Sequence, residues 1–239
     1  KVLYLLKIFK KKYILNTMNY LSFDVGIKNL AYCELTPEKK IKQWGIINLN
    51  ENPICEMCLK KPCEKQSSYT MEINGNKKYY CTSHIKHKSI DKKGKKKKLN
   101  TNHDLMKISQ ICVNKLRNIN LENIKYVLIE NQPALKNPVM KSIQMIVYTF
   151  FIIEGVMNKE SFIENVHMVN ARNKLKVYKG PKVPCNKSGK YAQNKYLSVE
   201  YTKHMIKNED NEFIQLYNIS KKKDDLADCY LQGIYWIEK

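Results

Sequence analysis

The sequence predicts a mixed-sheet α/β domain interrupted by one small cysteine-bearing insertion. Three observations carry that prediction. Apolar segments follow one another as three strands, helix, strand, helix, strand, helix, helix, an order that sets helices against a mixed sheet. The first three strands are joined by short turns, the signature of an antiparallel meander. Between residues 51 and 100 this pattern breaks, and paired cysteines and a lysine run replace it. With 239 residues the chain can bury one sizeable core, or one core plus a small insertion.

Residues 1–17, KVLYLLKIFKKKYILNT, read as a poorly ordered extension with Met18 a plausible start; a mitochondrial presequence would be richer in Arg and Ser. The domain proper is expected over 18–239. Tyr20-Leu21-Ser22-Phe23-Asp24 reads as a buried strand followed by the turn Val25-Gly26, and residues 30–35 and 42–49 as the next two strands. Within 51–100 a Tyr-rich hairpin is expected at Asn74-Gly75. The run from Lys92 to Lys98 is expected to be a flexible basic linker. Thr101 or Asn102 can cap a helix reaching Asn118, with Leu105, Ile108, Ile111, Cys112 and Leu116 near helical spacing. Tyr126-Val127-Leu128-Ile129-Glu130 is nearly all apolar, as a strand covered on both faces must be. Val139–Met157 is a helix apolar almost all round, so it is either the central core helix or one that also faces a second subunit. Residues 165–169 form a fifth strand, 171–190 a basic loop, and 191–206 and 224–237 the last helices.

Lys and Arg number 43 against 22 Asp and Glu, a formal net charge of +21. Such an imbalance attracts a polyanion: nucleic acid first, an anionic membrane surface second. The Lys, Asn and Ile bias also reads as a coding effect of an AT-rich genome, so part of the charge carries no functional meaning. No run reaches about 18 apolar residues, so no spanning helix and no membrane partner are expected. Eight cysteines without a secretory signal point to reduced thiols or a metal site rather than disulfides.

Asp24 and Glu130 each end an apolar strand, the position where ligands bind in α/β sheets. If those two strands are neighbours, the two carboxylates lie side by side. Asp225 and Asp228, three apart, share one face of the last helix. Like charges at contact distance repel unless a cation holds them, and Mg²⁺ or Mn²⁺ is the hard ion suited to oxygen ligands. Four such acids can hold two ions roughly 4 Å apart for in-line phosphodiester hydrolysis. Lys222 and Lys223 can offset phosphate charge beside them.

The stretches Phe23-Asp24-Val25-Gly26-Ile27-Lys28-Asn29-Leu30-Ala31, Ile129-Glu130-Asn131-Gln132-Pro133 and Lys222-Lys223-Asp224-Asp225-Leu226-Ala227-Asp228 resemble the RuvC-like Holliday junction resolvases. The likeness is strongest to the poxvirus-type and large-DNA-virus branch and to the yeast mitochondrial resolvases, in order and spacing from about residue 20 to 239. It implies an RNase H-like fold with a five-stranded mixed sheet, a homodimer, and Mg²⁺-dependent symmetric nicking of four-way DNA junctions. It also implies a place inside a cell, the cytoplasm or nucleus of an infected host if the source is viral. Matched motif by motif, Asp24, Glu130, Asp225 and Asp228 fall on the catalytic acids, and Lys222 on a basic residue that precedes the last two. Asp224 is extra and reads as a helix cap.

The insertion carries Cys55-x-x-Cys58 and Cys81-x-x-His84, two short-spaced pairs of the kind that close a tetrahedral Zn²⁺ site. Four protein ligands leave no open position, so the zinc is expected to be structural. Cys63 and His87 are spare ligands. Lys60, Lys61, Lys77 and Lys78 would then present charge to phosphates. Tyr79, Tyr80, Tyr178 and Tyr191 suit either packing or stacking on unpaired bases. Arg172, Lys174, Lys176, Lys179 and Lys182 read as a solvated basic stretch, and His103 and His167 as structural. Two rivals stand beside the junction nuclease: a ribonuclease H or flap nuclease on the same fold, and a zinc-containing DNA-binding protein without catalysis.

Overall fold

The structure is a computed structural model that describes residues 18–50, 52–58, 61–73, 75–90, 94–99, 104–135 and 137–239. The expectations for residues 1–17, Lys60, Asn74, Lys92, Lys93, Thr101, Asn102 and His103 lie outside these. The chain divides into two compact units, 1–49 with 105–239, and 50–104.

The strands are β1 (Asn19–Val25), β2 (Asn29–Leu35), β3 (Ile41–Asn48), β4 (Tyr69–Ile73), β5 (Asn76–Tyr80), β6 (Lys95–Lys98), β7 (Ile124–Glu130) and β8 (Asn165–Val169). The helices are α1 (Leu105–Leu116), α2 (Pro138–Phe151), α3 (Lys190–Met205), α4 (Asn211–Ile219) and α5 (Lys223–Ile237). The large unit holds a five-stranded sheet in the order β3-β2-β1-β7-β8. Its first three strands form the antiparallel meander, whereas β7 pairs parallel to both β1 and β8.

Strand alternation sorts the side chains of this sheet onto two faces. Leu21, Phe23, Val25, Val127 and Ile129 pack with Ile108, Cys112 and Leu116 of α1 and with Ile143, Val147 and Phe151 of α2. Asn137 caps α2 by accepting from the Met140 N–H at 3.2 Å, and Pro138 opens it. Beyond Phe151 the helix continues as a π turn, Ile152–Val156. The stretch Pro138–Val156 is long and apolar enough to cross a membrane by length and composition alone. Its inward side chains are nevertheless part of the sheet core, the first of the two expected roles. Ala31, Cys33, Leu35 and Trp44 face the other way and meet Phe213 and Tyr217 of α4 and Leu226, Tyr230, Leu231 and Ile234 of α5. The 3-10 turn Ala171–Val177 replaces the start of the expected basic loop, and α4 is a helix beyond those expected.

Alternation therefore sends Ser22 and Asp24, one residue out of step with Phe23, toward α5. Gln232 of α5 donates to Ser22 Oγ at 3.0 Å and to the Phe23 carbonyl at 3.1 Å. A Cβ on Gly233 would lie 2.6 Å from Leu35 Cδ1 and 3.3 Å from Ser22 Cβ, so glycine here lets α5 settle close on β1 and β2.

The small unit is a three-stranded antiparallel sheet in the order β5-β4-β6 with a core of Cys55, Met71, Tyr80, Cys81, Ile85 and Ile90. Gly75 takes φ +80° in the β4–β5 hairpin, a left-handed conformation that glycine adopts without strain. Lys95–Lys98 corrects the linker expectation, since it pairs with β4 from Glu72↔Lys95 to Tyr69↔Lys98. Ladder hydrogen bonds come from the backbone, so a lysine run can form an edge strand whose side chains remain in solvent.

Gly26 follows Asp24 by two residues, and its N–H donates to the Asn29 carbonyl at 2.9 Å. A Cβ at Gly26 would sit 2.7 Å from that same carbonyl oxygen, so the turn must open to admit it. Gly26→Ala is expected to cost about 1–3 kcal/mol. Thermal denaturation should show the loss as a melting point lowered by several degrees.

Candidate active site and cysteine–histidine cluster

β1 and β7 run in parallel register as far as Phe23↔Ile129. The next residues, Asp24 and Glu130, leave that last rung side by side. Two carboxylates so placed repel each other unless a cation stands near them. Burial, then the charge of Glu130, pushes the Asp24 carboxyl well above the usual range. Gln132 braces the pair: its Nε2 donates to Glu130 Oε2 at 2.7 Å and to the Val25 carbonyl at 3.2 Å. Its backbone N–H donates to Gln144 Oε1 of α2 at 2.9 Å. The Asn131-Gln132-Pro133 motif thus ties the ends of β1 and β7 to the helix behind them.

Helix α5 brings Asp228 to the same place, and Lys174 stands between. Lys174 Nζ lies 2.7 Å from Asp228 Oδ2 and 3.9 Å from Glu130 Oε1, with the lysine side chain only 16% exposed. Burial alone would strip its proton, but Asp228, Glu130 and Asp24 outweigh burial and raise its pKa. Lys174 therefore corrects the reading of the whole 172–182 stretch as solvated. No periodicity or spacing marks this lysine among its neighbours; it enters because the 3-10 turn Ala171–Val177 follows β8, adjacent to β7. Burial also raises the pKa of Asp228 despite Lys174. Asp228 Oδ1 is buried without a hydrogen-bond partner.

Asp225, one turn earlier on α5, accepts from Asn29 Nδ2 at 3.3 Å and lies 3.9 Å from Lys222 Nζ. Burial, then Asp224, raises its pKa. Lys222 is about half exposed, at the rim rather than among the acids. Asp224 does not cap α5. It pairs with Lys195 Nζ at 2.5 Å, and although burial opposes ionisation, that ammonium lowers its pKa. The structure thus gathers Asp24, Glu130 and Asp228 around Lys174, sets Asp225 beside Asn29 and Lys222, and turns Asp224 toward α3.

Carboxylate oxygens, one of them buried without a partner, are the hard donors a divalent ion takes, although among the described residues only the cysteine–histidine group of the small unit draws its ligand atoms within 4.8 Å of one another. Asp24, Glu130, Asp228 and Asp225 are the residues that would hold it.

In the small unit the ligand atoms of Cys55, Cys63, Cys81 and His84 all lie within 4.8 Å of one another. Cys55 Sγ is 3.4 Å from His84 Nδ1. Burial disfavours the Cys81 thiolate, but backbone N–H groups of His84 and Ser83 outweigh it and lower its pKa, the state a metal requires. Cys58, expected as a ligand, is exposed and does not belong to the cluster. Cys58 pairs with Pro62 in an antiparallel bridge, and the Cys63 N–H donates to the Met57 carbonyl at 3.1 Å, so Cys63 stands where Cys58 was expected. Spacing alone ranks Cys-x-x-Cys first and misses this turn.

The aromatic candidates divide. Tyr80 is buried in the small core, and Tyr178 stacks on Tyr201 at 4.1 Å, so both pack rather than await a base. His167 lies 4.6 Å from the Trp236 ring and serves packing. Tyr191 is 75% exposed.

Residues 20–137 match the family model described as the catalytic domain of mitochondrial resolvase Ydc2 / RNA splicing MRS1. Uncharacterized protein L451 of Acanthamoeba polyphaga mimivirus is 30% identical over 254 aligned residues, covering 88% of this chain. The chain spans 60% of the length of that relative. The crystal structure of the yeast mitochondrial Holliday junction resolvase Ydc2 matches with TM-score 0.52 and 18% identity, over 92% of this chain and 79% of that one. That likeness shows a shared fold. The fowlpox virus resolvase in complex with Holliday junction DNA matches at TM-score 0.43 and 18% identity, over 92% of this chain and 97% of that one.

Without a divalent ion, the crowded carboxylates oppose folding once ionised. An acid whose pKa is raised in the fold weakens stability as pH climbs from about 3.9, its unfolded value, toward the folded one. Asp24→Asn is therefore expected to raise the melting temperature at neutral pH in metal-free buffer, by roughly 2–4 °C for each 1 kcal/mol relieved. Lys174→Met is expected to lower it, by leaving Asp228 and Glu130 without their cation. Calorimetry on the two variants checks both signs.

Proposed function

We propose that this chain, which over residues 20–137 matches the family model of the mitochondrial resolvase Ydc2, is a Mg²⁺- or Mn²⁺-dependent endonuclease that nicks four-way DNA junctions. The observation that carries the proposal is the convergence of Asp24, Glu130 and Asp228 on one buried lysine at the ends of adjacent parallel strands. Bound divalent ions would supply an activated water and charge stabilisation for the leaving 3′ oxygen. The chain's own part is to hold them. Asp24 and Glu130 present paired carboxylate oxygens on a rigid sheet edge, Asp228 offers its unpartnered Oδ1, and Asp225 adds a further oxygen from the same helix face. Lys174 keeps a proton on Nζ and so remains a cationic donor for a phosphate oxygen beside the acids. Lys222, at the rim, gives a second positive charge.

The family description also covers an RNA-splicing protein, which favours a second reading: a nucleic-acid-binding protein without hydrolysis. The grouped acids weigh against it, because a scaffold that only binds a polyanion has no use for buried carboxylates. Symmetric nicking needs two sites. The outward side chains Met145, Ile153, Val156 and Met157 on α2 and its π turn are exposed and apolar, which supports a homodimer through that helix. The mimivirus relative supports action inside an infected cell, in cytoplasm or nucleus. For the small unit we propose one structural Zn²⁺ on Cys55, Cys63, Cys81 and His84, a staple for a segment with a small core.

Purified protein with Mg²⁺ should be offered a four-way junction, a plain duplex, a flap and an RNA–DNA hybrid. Paired nicks confined to the junction are expected. Preferred cutting of the hybrid or flap would move the activity to another nuclease class, and binding without cutting would favour the second reading. Asp24→Asn should keep junction binding and lose nicking by at least about 100-fold. Elemental analysis should find about one zinc per chain. Cys63→Ser is expected to abolish it and Cys58→Ser to leave it unchanged; the reverse result restores the Cys-x-x-Cys pairing.

A further inference from the structure

We infer that the outer face of the small unit's sheet is a binding surface for the phosphate backbone of duplex DNA, separate from the acid site. The inference rests on the nuclease reading only for the kind of polyanion.

Residues directly opposite in an antiparallel pair share a face. Met71 lies opposite Lys78 on one side and Lys96 on the other, and Met71 is buried in the small core. That is the inner face, where Lys96 Nζ lies over the Tyr69 ring at 4.6 Å and its stem covers apolar surface. The alternate rungs make the outer face. Glu72 stands between Lys77 and Lys95 on an exposed rung, and Thr70, itself buried, between Tyr79 and Lys97, so the open part of this face is the Glu72 rung with the exposed Lys97 beside it. Lys77, Lys95 and Lys97 are all exposed.

The outer face thus carries three lysines against one carboxylate. None of the three forms an ion pair with a described residue, Glu72 included. A merely solvated charged face intersperses both signs. Strand spacing sets Lys77 and Lys95 about 10 Å apart across β4, and Lys95 and Lys97 about 7 Å apart along β6. Three cations rising from evenly spaced backbone positions on a sheet suit a row of phosphates. Lysine acts here as a point charge, and no side-chain amide on these rungs offers base readout, so binding is to the backbone and independent of sequence. The single aromatic side chain, Tyr79, has Lys77 Nζ 5.6 Å over its ring. A duplex fits this better than a single strand, which would want a series of stacking platforms.

The test is the salt dependence of binding by the full chain to a plain DNA duplex of about 20 base pairs, without added Mg²⁺ or Mn²⁺. Each lysine–phosphate pairing that is removed should lower the slope of log K against log salt by about 0.9. Lys77→Gln/Lys95→Gln/Lys97→Gln should therefore lower it by about 2.7, so that the variant loses about 40-fold less affinity between about 50 and 200 mM salt. Glu72→Gln should move affinity the other way and tighten binding at low salt. Zinc content reports whether the triple variant keeps its fold; if it does not, the Glu72→Gln result decides alone. An unchanged slope in a zinc-loaded triple variant, or unchanged affinity in Glu72→Gln, overturns the surface. Junction nicking is scored separately. If the wild type never nicks while the slope shifts as expected, the nuclease reading fails and the surface stands.

Discussion

Two carboxyl groups forced side by side at the end of a parallel strand pair are the constraint to which the rest of the large unit answers. The register of β1 with β7 places Asp24 next to Glu130, and burial together with the Glu130 charge pushes the Asp24 carboxyl well above its usual range. A positive charge is at hand in the Lys174 ammonium, shared between Glu130 and Asp228. A lysine with most of its surface buried is itself costly, so acids and lysine each depend on the other to be tolerable. An apolar set of equal volume would often serve stability as well or better, so stability alone does not account for the arrangement.

The fold delivers the arrangement by simple means. Period-two alternation alone sends Asp24 to the α5 side while Phe23 and Val25 enter the opposite core. Helical spacing then puts Asp225 and Asp228 on one face of α5. Gly233 and Gln232 fix how closely that helix lies on β1, through a missing side chain and two hydrogen bonds to Ser22 and Phe23. Gln132 joins both strand ends and reaches α2 behind them. Each site residue thus stands on a strand, helix or braced turn, which is what metal binding by preorganised ligands demands.

Legibility in the sequence followed the range of the interaction. The five strands of the mixed sheet and the apolar helix after β7 were readable because their signals are local: alternation, an all-apolar run, caps and turns. Asp24, Glu130, Asp225 and Asp228 could be picked out because each sits on such an element at a position its pattern marks. Lys174 could not, because its importance arises from a tertiary interaction that no spacing encodes. Helix α4 escaped for a related reason: its apolar Phe213 and Tyr217 fall in a short stretch with polar neighbours, and only burial against Trp44 gives them a role. At the cysteine cluster, pair spacing suggested Cys58, but a turn at Pro62 decided for Cys63. The lysine run defied its composition because composition describes side chains, whereas β6 is made by the backbone.

The two kinds of charge in this chain perform opposed tasks, and that explains why they are kept apart in sequence. A nest of carboxylates repels the very backbone it would cut, by an interaction that falls off only over a Debye length of about 8–10 Å. A strongly basic chain can offset that repulsion only if its cations are held where the acids cannot neutralise them. Lys195 and Lys174 are already committed to Asp224 and to Asp228 with Glu130. Lys77, Lys95 and Lys97 form no ion pair with a described residue, and they lie in a unit with its own sheet, its own small core and its own cysteine–histidine cluster. If the proposed staple and the proposed phosphate surface hold, lysines on that sheet keep their charge for phosphate while the acids keep theirs for cations.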